Sequence, residues 1–121
     1  MQLTPEIVAA VTELLGREPR GLRDIPVVSA AGEPMVIRVA SLVDDKPFPT
    51  LFWLVAPDIA YRIDREEASG LIARLQHRVD ADPALQAAMA ADHRAHIALR
   101  DRYLNDADRQ RLKQLGFAAV L

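Results

Sequence analysis

Pro47-Phe48-Pro49-Thr50-Leu51-Phe52-Trp53-Leu54 is the stretch that decides the fold. Its prolines fix the backbone of a loop, and the loop runs into an apolar segment, about 50–56, that has the length of a buried β-strand. Pro57 then suits the first turn of a helix, where a missing amide hydrogen costs little. Because apolar residues occupy both faces of this strand, the pattern predicts a central strand that is covered on both sides.

Two further strands are predicted before this one. Segments 24–30 and 35–42 are rich in β-branched and other apolar residues, and Ala31-Gly32-Glu33-Pro34 between them is typical of a hairpin turn. Side chains alternate between the two faces of a strand, so one side of the second strand should be more buried than the other.

Helices are predicted before and after the strands along the chain. Thr4 and Pro5 indicate the start of a first helix that Gly16 ends. After Pro57 a short helix reaches about residue 63. Asp64 and Glu67 then have the spacing of a capping box and predict that a new helix begins there.

The second half of the chain is predicted to end with two more helices. Asp82 and Pro83 open the longest one, which ends near Leu104, and Asn105 or Asp106 caps a last helix that stops at Gly116. The expected fold is therefore α+β, with a three-stranded, mainly antiparallel sheet (about 24–30, 35–42 and 50–56) covered by four or five helices.

The chain has 121 residues, half of them hydrophobic, which suits one compact domain spanning residues 1–121. The final residues, 117–121, are all apolar, whereas chain termini are usually polar and frayed. We therefore expect a chain that is cut inside its fold. Two copies would then pair through this apolar end to form a homo-oligomer.

Composition excludes several classes of function. Fifteen basic and seventeen acidic residues give a net charge of −2, so no overall positive field attracts nucleic acid. No apolar run approaches the roughly 20 residues of a membrane span, and we expect a cytoplasmic protein. Without cysteine, disulfides, thiolate metal sites and cysteine nucleophiles are excluded. No motif points to a particular cofactor.

The predicted long helix carries polar groups inside an apolar stripe. Asp92 and His96 lie one helical turn apart, so the carboxylate could orient the imidazole for acid/base catalysis. Alternatively they form a satisfied polar contact in a helix packing, with His93 and Arg100 as solvated edges of the stripe, and we favour this structural interpretation. His93 and His96 are also candidate metal ligands, although no third ligand accompanies them. The stripe consists of Leu85, Met89, Asp92, His96, Leu99 and Tyr103.

Arg17, Arg20 and Arg23 recur at every third position after the first helix. Guanidinium groups can bind phosphate or carboxylate through two parallel hydrogen bonds, so these three residues are candidate anion ligands. Alternatively they pair with surface carboxylates, since such pairs are common.

Two functional interpretations remain open, because the common signatures of nucleotide-binding loops, serine hydrolases and zinc proteases are missing. The first is an interaction or regulatory module. The alternative is a small hydrolase-like enzyme that acts on a phosphate-containing small molecule, with Arg17 and Arg20 binding the anion and Asp92 and His96 moving the proton. The enzyme would require these four residues to converge on one cleft.

Several short fragments in a fixed order carry a resemblance to a known family. They are Leu15-Gly16-Arg17, Arg20-Gly21, Gly32-Glu33-Pro34, Pro47-Phe48-Pro49-Thr50-Leu51, Glu67-Ala68 and Gly70-Leu71. In this order they resemble the bacterial domain-of-unknown-function family 501. The resemblance implies a small cytoplasmic bacterial protein of unassigned activity.

The chain departs from that family in two ways. Many members have Cys-Pro-x-Gly where this chain has Ser29-Ala30-Ala31-Gly32, so no thiol role is carried over. Similar members also continue into a C-terminal segment with cysteine and several histidines. The resemblance implies that this segment is missing here and that His96 matches a helix histidine of the family.

Overall fold

The computed structural model describes residues 2–117, which form an α+β fold. The elements in chain order are α1 (Pro5–Leu15), β1 (Leu22–Val28), β2 (Pro34–Val39), β3 (Leu42–Val43), β4 (Lys46–Pro47), β5 (Phe52–Leu54), α2 (Pro57–Ala68), α3 (Leu71–Asp80), α4 (Pro83–Tyr103) and α5 (Asp106–Gln114). The three predicted strands correspond to β1, β2 and β5, with ends that differ by a few residues.

The limits of α1 confirm the predicted caps. The Thr4 hydroxyl oxygen accepts a hydrogen bond from the Ile7 amide at 3.3 Å, which satisfies a donor that the first turn leaves unpaired. At the other end Gly16 has a φ of 73°, and its amide donates to the Thr12 carbonyl at 2.9 Å. Many helices end with a left-handed residue in this position.

The three-stranded sheet is antiparallel throughout, in the order β1-β2-β5. The central strand is therefore β2, and the prediction that the 50–56 strand is central was wrong. Trp53 lies opposite Ile37 and faces α1, while Leu54 lies opposite Val36 on the other face and is 40% exposed. Apolar residues on both faces of a strand report which layers lie above and below it. They carry no information on whether a neighbouring strand pairs with each edge.

One hydrophobic core lies between α1 and the sheet. Val11 and Ile37 are fully buried there, so the apolar side of α1 packs against the middle of β2. The buried members are Val11, Leu22, Ile25, Ile37, Val39 and Val55, and around them pack Leu3, Ile7, Val8, Leu14, Leu15 and Trp53.

The C-terminal end of α4 is attached to the sheet through two arginines. The Arg100 side chain is only 5% exposed and donates to the Pro49 carbonyl at 3.1 Å. The Arg38 guanidinium of β2 lies 3.8 Å from the centre of the Tyr103 ring. The expectation that Arg100 is a solvated edge was therefore wrong, because the end of α4 packs against the loop before β5.

The helices between β5 and this attachment form the helical arm, residues 57–99, in which no residue is buried. Its first helix, α2, continues to Ala68, so the prediction of a new helix at Asp64 was wrong. A capping side chain needs non-helical backbone at the cap, and no glycine or proline interrupts α2 there. The break comes at Gly70, whose φ of 92° is left-handed.

Two expectations concern properties of the whole chain. No helix within residues 2–117 is both long enough and apolar enough to cross a membrane. The expectation that copies pair through the apolar end concerns residues 117–121, of which 118–121 lie outside the described residues.

Candidate functional site

The structure places the predicted acid/base pair at the surface of α4. Asp92 and His93 are exposed, and His96 is half-buried. Within the described part of the chain no hydrogen bond or ion pair joins Asp92 to His96. The pair therefore lies on the part of α4 that stands away from the sheet, where neither residue is enclosed.

The predicted metal ligands gain no third partner in the described residues. Between residues 2 and 117, no three histidine, aspartate or glutamate side chains lie close enough together to hold a metal ion. His93 and His96 thus have no further ligand within this range.

Two of the three predicted anion ligands come together at a cleft of about 360 Å³, which we call the arginine cleft. Arg17 and Arg20 line it, whereas Arg23 lies outside, on the exposed side of β1. One wall is the segment that connects α1 to β1, and the other is the β3–β4 hairpin. The complete lining is Arg17, Glu18, Pro19, Arg20, Gly21, Val39, Val43, Asp44, Lys46, Phe48 and Trp53.

Aromatic rings form part of the inner surface of this cleft. Phe48 and Trp53 meet edge to face, with ring centroids 5.8 Å apart and an angle of 67° between the rings. The Arg17 guanidinium lies 5.7 Å from the Trp53 ring centre, within cation–π range. The Trp53 indole nitrogen donates to the Thr50 carbonyl at 3.1 Å, which orients the ring.

A tight turn positions the hairpin wall. Asp44 and Asp45 both have positive φ, 51° and 61°, between the paired residues Val43 and Lys46. Two left-handed residues in a two-residue loop make the hairpin turn that matches the natural twist of strands, and aspartate tolerates this conformation well. The turn places Lys46 on the strand that lines the cleft.

Both aspartates of the turn also bind arginines from distant elements. Asp44 pairs with Arg20 across the cleft. Asp45 accepts two hydrogen bonds from Arg111 of α5, one from Nε at 3.0 Å and one from a terminal nitrogen at 2.9 Å. These hydrogen bonds lower the pKa of the Asp45 carboxyl and raise that of Arg111. The tip of the hairpin is therefore held from two sides.

Gly21 allows the two walls to approach each other. A Cβ atom at this position would lie 2.8 Å from Cγ2 of Val43, closer than carbon atoms pack. The Gly21 carbonyl accepts from the Ala40 amide at 2.8 Å, which holds this wall against the end of β2. The sequence alone did not identify Val43 as the neighbour of Gly21, because the two residues lie far apart along the chain.

Neither Asp92 nor His96 lines the arginine cleft. The sequence also did not associate Lys46 with the arginines, because it lies far from them along the chain. Trp53 likewise lies far from the arginines along the chain, and only the pairing of β5 with β2 shows that it reaches the cleft.

Apolar side chains are exposed in two other places. On the outer face of the sheet, Val27, Val36 and Leu54 are cross-strand partners and form one row, in which Val27 is 44% exposed. The helical arm exposes more. Its large apolar residues with at least 42% exposure are Tyr61, Ile63, Ile72, Leu75 and Met89.

Comparison with known proteins identifies a family but no activity. No curated protein and no solved structure matches the chain. One family, described as a protein of unknown function (DUF501), matches residues 25–119, which include most of β1, the other strands and all helices after the sheet. The chain therefore belongs to the DUF501 family, as its sequence fragments had indicated.

Proposed function

We propose that this chain is a protein-interaction module that works as a dimer, in which the helical arm of one copy packs on the helical arm of a second copy. One observation carries the proposal. Neither α2 nor α3 contains a buried residue, yet Ile63, Ile72 and Leu75 expose 42%, 62% and 46% of their surface.

Helix physics explains why such an arm needs a partner. Helices of this length are marginal in water by themselves, and packing of an apolar side usually supplies their stability. α2 has 12 residues and α3 has 10. Burying the exposed side chains of the arm in a dimer would contribute about 25 cal/mol for each Å² of apolar surface removed from water.

The charges of the arm suit a second copy of the same chain. α2 has four carboxylates and two arginines, whereas α3 has two arginines and one carboxylate. In a two-fold contact the same surface occurs on both copies, so α2 of each can meet α3 of the other. Opposite net charges then face each other. Because the arm carries charges of both signs, a second copy is a better partner for it than a polyanion would be.

The hydrolase alternative has less support from the geometry. Such an enzyme needs the anion ligands and the proton-transfer groups within a few ångströms of one substrate. Arg17 and Arg20 line the arginine cleft, whereas Asp92 and His96 do not. The interaction module requires no such convergence.

The proposal is tested by measuring molar mass over a range of concentrations, with analytical ultracentrifugation. We expect a concentration-dependent dimer in the wild-type chain. The double substitution Ile72→Glu and Leu75→Glu should give a folded monomer, because each α3 would then place two carboxylates in an apolar contact with the acidic α2 of the other copy. A circular dichroism spectrum like that of the wild type confirms that the variant is folded.

Val27→Glu is the matched control, because it places the same charge on the exposed sheet face. This variant should dimerise as the wild type does. A wild-type chain that stays monomeric at millimolar concentration would contradict the proposal. So would a dimer that Val27→Glu dissociates and the double substitution leaves intact.

A further inference from the structure

We infer that the arginine cleft binds a small aromatic phosphate, with the phosphate held between Arg17 and Lys46 and the ring packed against Trp53 and Phe48. This site is separate from the helical arm, so the inference does not depend on the proposed dimer. The inference concerns binding alone and assigns no catalytic step to the cleft.

The cations that line the cleft differ in whether they already form an ion pair. Arg20 is neutralised by Asp44 on the opposite wall. Arg17 and Lys46 have no ion-pair partner among the described residues, and both lie at the surface. Glu18 also lines the cleft and offsets one of these charges, so the lining as a whole has a net charge of +1. An anion that reaches both Arg17 and Lys46 would gain charge-assisted hydrogen bonds from each wall.

The inner surface of the cleft suits a ring. Trp53 and Phe48 are half-buried and line the cleft with Val39 and Val43. The volume of about 360 Å³ falls within the range of sites for small molecules, which combine apolar lining with a few polar groups. A ligand with an apolar ring and a phosphate would use both features, whereas inorganic phosphate would use only the cations.

The cleft is preformed in the free chain. Arg20 and Arg111 hold the two aspartates at the hairpin tip. Gly21 brings the opposite wall close to Val43. A site that needs little reorganisation loses less conformational entropy when its ligand binds, so binding energy is retained.

The chain contains one tryptophan, and it lies in this cleft. Its fluorescence therefore reports on the site without a label. We would titrate the full chain with phenyl phosphate, AMP, adenosine and inorganic phosphate, exciting where adenine does not absorb. Isothermal titration calorimetry provides a second measurement that does not depend on the indole.

We expect saturable binding of at least one of the two aromatic phosphates, with adenosine and inorganic phosphate at least tenfold weaker, a difference of about 1.4 kcal/mol. Lys46→Ala should weaken the binding about tenfold, as expected when one of two charge-assisted contacts is lost. This substitution does not remove the contact between Arg17 and Trp53, so the indole can still report binding, and calorimetry checks the affinity independently. Arg62→Ala removes an exposed cation of α2 outside the cleft and should bind as the wild type does.

Three results would overturn the inference. The first is that neither phenyl phosphate nor AMP binds to the wild-type chain. The second is that inorganic phosphate or adenosine binds as tightly as the aromatic phosphates. The third is that Arg62→Ala weakens binding as much as Lys46→Ala. Sedimentation of Lys46→Ala should still show the dimer, so failure at the cleft and failure of the proposed dimer can be told apart.

Discussion

The sheet region, residues 3–56, and the helical arm, residues 57–99, differ in where their apolar side chains go. In the sheet region, residues such as Val11 and Ile37 are fully buried between α1 and β2. In the arm no residue is buried, although apolar residues recur along its helices. The first region is stabilised by its own core. The second has helix-forming sequence and apolar surface, and it lacks a covering layer within the described chain.

This difference shows what an amphipathic sequence pattern predicts about a helix and what it leaves open. Such a pattern requires that one side of a helix be covered. It does not say whether the cover comes from the same chain. In α1 the cover is the sheet, and for α2 and α3 we propose a second copy.

The largest effect should come from matched isoleucine-to-alanine substitutions in the two regions. Ile37 is fully buried, so Ile37→Ala should lower the free energy of unfolding by about 2–5 kcal/mol through lost burial and a cavity. Ile72 is 62% exposed, and Ile72→Ala should change it by less than about 0.5 kcal/mol in dilute monomer. Urea denaturation at low concentration measures both. Equal losses would mean that the arm has a core of its own.

An intermediate effect is expected at the junction of the two regions. Arg100→Ala removes a buried hydrogen bond from a charged donor to the Pro49 carbonyl and should cost about 1.5–3 kcal/mol. Arg94→Ala, on an exposed part of the same helix, is the control and should be nearly neutral. Thermal unfolding of the two variants provides the comparison. If Arg94→Ala were as damaging, the attachment at Arg100 would not explain how the arm joins the sheet.

The smallest effect concerns a surface contact between the sheet region and α5. The hydrogen bonds from Arg111 lower the pKa of Asp45 in the folded chain. The stability that this ion pair contributes is therefore present above the ordinary carboxyl pKa and is lost as the pH falls below about 4. Asp45→Asn keeps a residue that tolerates the left-handed turn.

We expect Asp45→Asn to unfold at a slightly lower temperature than the wild type at neutral pH, with the difference shrinking in acid and in high salt. Scanning calorimetry over a pH series measures it. A difference that grew as the pH fell would show that the ion pair with Arg111 is not its source.

Local signals predicted the elements well but their neighbours less well. Thr4, Pro5 and Gly16 were sufficient to place α1, because caps depend on a few adjacent residues. The capping-box spacing of Asp64 and Glu67 was misleading, because an uninterrupted helix already satisfies the amides that such a box would bind.

The candidate site shows the same limit. The sequence placed Arg17 and Arg20 in one loop, and both line the cleft. It could not exclude Arg23, whose direction depends on where β1 begins. It also could not place Lys46 and Trp53 beside them, since hairpin pairing and sheet packing bring these residues together. The predicted acid/base pair of Asp92 and His96 remains a prediction, on a surface apart from the cleft.

The sequence by itself determined the α+β class, most of the helices, the three strands of the larger sheet and the family, because these follow from residue types and their spacing along the chain. Only the tertiary structure decided that β2 is central, that residues 2–117 leave the arm uncovered, and that two loops close around Trp53. The physical reason is that strand order and packing depend on contacts between residues far apart in the chain, and local preferences fit more than one such arrangement.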